Sequence, residues 1–118
     1  MIGFCRLYAT ESSPDIYLES CGIADLIASA LGGRNYNGAK KMVEENKSLK
    51  DFEREDLNGQ LLQGPGTAKE VYLYLKSKNL LNQFPMFRDA YLICEGELKP
   101  SQLLDNLPNH PEYNQVQK

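Results

Sequence analysis

The chain has 118 residues, 42% of them hydrophobic and 25% charged, with a net charge of -3; this is the size and balance of one soluble domain with a single core. An acidic balance with interspersed charges excludes a nucleic-acid or anionic-membrane surface, which needs a basic face. Cys5, Cys21 and Cys94 are widely spaced and the one histidine, His110, is remote from them, so neither a metal site nor a disulfide framework is predicted, and no apolar run reaches the roughly 20 residues of a membrane span.

Taken in chain order, the elements read as helices between closely spaced stops. Met1 to Ala9 puts Ile2, Cys5 and Ala9 near one helical face, with no Ser, Thr, Asp or Asn cap in front. It reads as the last turns of a helix, so the chain is expected to begin inside an element. Ser12-Ser13-Pro14-Asp15 breaks it, and Pro14 suits a first helical position. Cys21 to Leu31 is small or apolar except at Asp25 and Ser29, which predicts a helix buried on most sides. Gly32-Gly33 ends it, and a new helix runs from about Arg34–Asn37 to Glu45.

Ser48 with Asp51 three residues on resembles a capping box for a short helix to about Leu57, and Asn58-Gly59 is a turn signal. Gly64-Pro65-Gly66-Thr67 offers two helix entries, Pro65 at the first position or Thr67 with Glu70 as a box. Val71 to Leu75 has a strand-like composition, but its flanks, Ala68-Lys69-Glu70 and Lys76-Ser77-Lys78, favour a helix to Ser77 or Lys78. Phe84, Phe87, Ala90, Tyr91 and Cys94 form an amphipathic stripe within 82–95. Pro100 starts a last short helix over Leu103 and Leu104, and a polar tail follows from Pro108. The fold class is therefore all-α.

Three features carry candidate chemistry. Gly32-Gly33-Arg34-Asn35 lies between two helices, where glycine permits close approach and the next helix start presents unpaired N–H groups. Such a corner suits an anion such as phosphate, with the Arg34 fork and the Asn35 amide as donors. The plainer alternative is a helix stop followed by a solvated arginine. Asp25, with Ser29 one turn on, is either a carboxylate buried in an apolar helix in need of a cationic partner, or one that serves a helix start or faces solvent. Leu57 to Ala68, LNGQLLQGPGTA, reads as a mobile loop rich in amides, or as a plain connector. It is no dinucleotide fingerprint, because no GxGxxG occurs.

ESCGIADLIASALGGRN at 19–35, LNGQLLQGPGTA at 57–68, FPMF at 84–87 and NHP at 109–111 resemble the C-terminal part of the eukaryote-type cytosolic NAD-dependent glycerol-3-phosphate dehydrogenases. The resemblance runs from Met1 to about Tyr113. It implies a multi-helix domain like the C-terminal domain of 6-phosphogluconate dehydrogenases, incomplete at its N-terminal side. Residues 1–113 would be the substrate-binding helical domain, without the Rossmann domain, and 114–118 a polar tail. It implies an oxidoreductase that interconverts dihydroxyacetone phosphate and sn-glycerol 3-phosphate with NAD, cytoplasmic and homodimeric, whose other partner here is the missing N-terminal Rossmann half.

Residue by residue, the resemblance gives the substrate phosphate to Arg34 and Asn35, lets Arg34 also reach NAD, and puts Gln63 on a loop closing over the cofactor. Asp25 matches an aspartate that supports a catalytic lysine lying outside this chain, and Ser29 keeps a hydroxyl where animal relatives have Thr. Leu61 stands where animal relatives have Lys, and Gly66 replaces a Glu. Without the lysines and the nucleotide domain, these residues alone are expected not to turn over. The alternative expectation is a non-enzymatic helical interaction module derived from the same family.

Overall fold

The computed structural model describes residues 1–8, 11 and 13–105. The polar tail, the NHP motif at 109–111, His110 and the boundary at 113 lie outside the described residues. Among those described there are six α-helices and no strand: α1 (Ile2–Cys5), α2 (Asp25–Gly32), α3 (Arg34–Glu44), α4 (Leu49–Glu55), α5 (Gln63–Ser77) and α6 (Pro85–Cys94). The all-α expectation holds, and Val71 to Leu75 is helical. The helices fall in two compact units, Met1–Ala39 and Lys40–Lys118.

In the first unit α1 has no side-chain cap. Ser13 caps a 3-10 turn, Pro14–Leu18, by accepting from the Asp15 N–H, and Pro14 takes an early position as its fixed φ favours. A wide π-turn, Ser20–Ala24, follows and runs directly into α2. Gly22 is buried there, and a Cβ would lie 2.1 Å from the Tyr17 carbonyl oxygen, so only glycine allows the two turns to touch.

The expectation of a buried Cys21–Leu31 helix is not met. Leu26 is 60% and Leu31 81% exposed, and no residue of α2 is buried. Apolar composition selects a helix that can be covered, but burial requires a neighbour. The other elements of its unit are a four-residue helix, five-residue turns and the first turns of α3, and they leave α2 uncovered.

The second unit holds the core. Phe52 of α4, Leu62, and Leu75 of α5 are buried, together with Pro85 and Asp89 of α6. α5 and α6 pack on each other, and Tyr72 stacks on Tyr91 across them with ring centroids 4.3 Å apart. Asp89, 1% exposed, accepts from Arg88 Nε at 2.7 Å, so its carboxylate is charge-paired as burial demands.

Three helix ends of this unit follow one rule. α3 stops at Asn46 (φ 53), α5 at Asn79 (φ 58) and α6 at Gly96 (φ 78). After each, the next residue's N–H reaches back five residues, from Lys47 to Met42, Leu80 to Leu75 and Glu97 to Leu92. This is the Schellman stop, for which a left-handed Asn or Gly is required. Ser48 caps α4 by accepting from Asp51 N at 3.1 Å and donates its hydroxyl to Asp51 Oδ2 at 2.6 Å, so the expected start holds with the Asp51 carboxylate on the Ser48 hydroxyl.

One ionic cluster joins the end of α3 to the end of α4. The Asp56 carboxylate accepts from Lys41 and from Lys47 Nζ, the latter at 2.9 Å, and Lys47 also reaches Glu45 and Glu55. The Lys41 ammonium, then that of Lys47, holds the Asp56 carboxyl below the usual carboxylate range. A group depressed in the folded state adds stability above its unfolded pKa and loses it as pH falls through the folded value. The thermal midpoint should therefore fall on acidification below about pH 4, and Asp56→Asn should remove part of that dependence. An unchanged acid limb in the variant would show that other carboxylates set it.

Candidate functional site

Gly32 and Gly33 turn the chain from α2 into α3. Gly33 donates to the Ser29 carbonyl at 2.9 Å, closing α2, and accepts from Asn37 N at 3.0 Å, opening α3. Its backbone is extended (φ -61, ψ 152), so a positive φ is not what demands glycine. Close approach is: a Cβ would stand 2.6 Å from the Ser29 oxygen. The Asn37 side chain then donates through Nδ2 to the Gly32 carbonyl at 3.0 Å. A carbonyl that α2 leaves without an intrahelical partner is thus satisfied from α3, which ties the corner. Asn37 was not singled out as a functional position in the sequence; its signal is an amide one turn after a Gly-Gly stop.

Arg34 and Asn35 occupy the first two positions of α3, both exposed. Backbone N–H groups there lack intrahelical partners, and the helix dipole is positive at that end. No acidic residue lies in the first turn. The arrangement suits an anion with several oxygens, to which Arg34 adds a two-pronged donor.

Asp25 and Ser29 lie one turn apart on α2, and both are exposed. Of the two settings the sequence left open for Asp25, the structure shows the solvent-facing one. Asp25 follows the π-turn Ser20–Ala24 without a break, so it sits within a continuous helical run with its side chain exposed.

Gln63 belongs to the second unit, and the structure corrects its setting. It is not on a loop reaching to Ala68: α5 begins at Gln63, so Gly64, Pro65 and Gly66 are helical. Neither expected entry is used. Pro65 is third in the helix, within the turn whose N–H groups lack partners, so its missing N–H costs no bond. Thr67 instead donates back to the Gln63 carbonyl at 3.3 Å. The start is fixed by Glu53 of α4, whose Oε1 accepts from Leu62 N at 2.9 Å in a partly buried bond. The remaining loop, 57–62, turns at Asn58 (φ 51) and Gly59 (φ 82), as Asn-Gly predicts. Leu61 is exposed.

Two glycines make opposite predictions. A Cβ on Gly33 clashes with backbone, so Gly33→Ala should lower stability by roughly 1–3 kcal/mol. A Cβ on Gly66, inside α5, meets nothing within 4 Å, so Gly66→Ala should raise stability by roughly 0.5–1 kcal/mol. Urea unfolding of the two variants reads both signs; a stabilising Gly33→Ala would contradict the close corner.

Among the described residues no group of three His, Cys, Asp or Glu could hold a metal ion, and no helix is long and apolar enough to cross a membrane.

The family profile described as NAD-dependent glycerol-3-phosphate dehydrogenase C-terminus matches residues 1–105. The chain is 45% identical over 116 residues to a cytoplasmic glycerol-3-phosphate dehydrogenase [NAD(+)] of Drosophila virilis, covering 98% of this chain and 33% of that protein. It is 44% identical over 114 residues to the human glycerol-3-phosphate dehydrogenase 1-like protein, covering 96% of this chain and 32% of that one. The solved structure of Plasmodium falciparum glycerol-3-phosphate dehydrogenase superposes with a TM-score of 0.74 at 38% identity, over 86% of this chain and 29% of that one. The chain thus spans about a third of the length of the curated relatives it matches. With the profile matched from Met1 to Asp105 and an all-helical fold shared with a solved relative, the chain belongs to the C-terminal family of NAD-dependent glycerol-3-phosphate dehydrogenases.

Proposed function

We propose that this chain supplies the substrate-binding third of an NAD-dependent glycerol-3-phosphate dehydrogenase, and that the α2–α3 corner grips the substrate phosphate. The observation that carries this reading is the helix start at Arg34-Asn35: two polar side-chain donors at the positive end of an eleven-residue helix whose first turn holds no acid. NAD, when bound in the whole enzyme, would supply or accept the hydride that interconverts dihydroxyacetone phosphate and sn-glycerol 3-phosphate, with the proton at the carbonyl oxygen exchanged by a group outside these residues. The part of these residues is to hold and orient. Arg34 and Asn35 neutralise and fix the phosphate, which aligns the carbonyl end for the transfer.

NAD is the cofactor of the whole enzyme in this reading. Arg34 and Gln63 are the residues of this chain proposed to touch it, and Ser29 adds a hydroxyl on the substrate side. Asp25 is given a supporting role toward a lysine outside the chain on the resemblance alone. The proposed partners are a Rossmann half and a second copy of the protein, in the cytoplasm like the relatives so named. The apolar surface that α2 leaves exposed supports a further covering element.

The test uses two proteins: the 118-residue chain, and a chimera in which it replaces the matching third of the Drosophila virilis relative. Given NADH and dihydroxyacetone phosphate, the chain should not oxidise NADH and the chimera should. Sustained turnover by the chain, or a folded but inactive chimera, would overturn the reading.

A further inference from the structure

The segment 57–62 is tied at both ends to one residue of α4. The Glu53 backbone carbonyl accepts from Gly59 N at 2.8 Å, and its carboxylate accepts from Leu62 N at 2.9 Å. Leu62 is the N-cap of α5 and, being apolar, offers no side-chain cap. Its own N–H belongs to no helix. In a capping box a Glu three residues into the helix reaches back to that N–H; here a Glu from the preceding helix does so. The bond is charge-assisted and partly buried, and the carboxylate faces the positive end of a fifteen-residue helix. Leu62 is itself buried, so the peptide leading into Gln63 is held from its side chain and from its N–H.

We propose that Glu53 is a positioning residue for Gln63: by holding the Leu62 peptide it sets where the Gln63 amide stands, and with it the cofactor contact. The inference rests on the assignment of Gln63 to the cofactor. Glu53 does not touch the reacting atoms. Its loss lets 57–62 and the first turn of α5 move together, which loosens a cofactor contact and leaves the substrate phosphate corner on α3 as it was.

The experiment is steady-state kinetics of the chimera with Glu53→Leu, Glu53→Gln and Gln63→Leu. A lost charge-assisted bond corresponds to about a tenfold rise in the KM for NADH for Glu53→Leu, with the KM for dihydroxyacetone phosphate unmoved. Glu53→Gln keeps an acceptor oxygen and should recover most of the loss. Since KM does not depend on how much of the sample is folded, a purely structural role would not give this split. Should Glu53→Leu fail to fold, Glu53→Asp, which draws the carboxylate back by one methylene, is read by the same ratio.

If Gln63→Leu raises the NADH KM while the Glu53 variants leave it unchanged, or shift both KM values equally, the positioning role is overturned alone. If Gln63→Leu has no effect, the cofactor assignment falls and the inference with it.

Discussion

Arg34→Lys in the chimera is expected to lower kcat/KM for dihydroxyacetone phosphate roughly a hundredfold, equivalent to about 2.7 kcal/mol of transition-state stabilisation. Lysine keeps the charge, so the effect isolates geometry: an ammonium cannot span two phosphate oxygens as the planar guanidinium does. The bonds that tie the Gly32-Gly33 corner are made by Ser29, Gly32, Gly33 and Asn37. Stability should accordingly stay within about 0.5 kcal/mol of the parent, as for exposed surface substitutions. The expected pattern is a large kinetic loss with an intact fold. Parent-like kinetics would remove Arg34 from the site.

Leu75→Ala should have the largest effect on stability. Leu75 is 0% exposed and lies on α5, the helix that packs on α6. Its removal takes away buried methyl groups and leaves a space that two packed helices close only in part. Such truncations cost roughly 2–5 kcal/mol, against a total of about 5–15 kcal/mol for an ordinary domain. Leu73, two residues earlier on the same helix, is 51% exposed, and Leu73→Ala should change stability by under about 1 kcal/mol. Urea midpoints of the two variants test the pairing. Equal losses would mean that α5 does not bury Leu75 as described.

What was legible in the sequence was local. Ser48 with Asp51, Ser13 before Pro14, the Asn58-Gly59 turn and the Gly32-Gly33 stop each depend on residues within one turn of chain, and each stands where their spacing puts it. The start of α5 was not legible for the opposite reason. The Leu62 N–H that precedes the helix is held by a carboxylate nine residues upstream, and neither Pro65 nor Thr67 carries that information. The exposure of α2 was illegible too, because its apolar residues specify only that they can be buried. For Asp25 the sequence left a buried and a solvent-facing setting open, and it stands exposed on α2.

The candidate site divides the same way. Arg34 and Asn35 are recognisable from residue type and helix position together, so the corner was readable before its geometry was known. Asn37 and Glu53 act through single bonds to backbone atoms at Gly32 and Leu62, and such bonds leave no pattern in composition or periodicity.

The claim that the α2–α3 corner recognises phosphate is tested most directly by comparing two substrates in one variant. In the chimera, kcat/KM for dihydroxyacetone phosphate and for unphosphorylated dihydroxyacetone is measured with Arg34 and with Arg34→Lys. The account predicts that the phosphorylated substrate loses roughly a hundredfold while the slow reaction of dihydroxyacetone is unchanged, because it has no phosphate for the fork to hold. An equal loss for both substrates would contradict it.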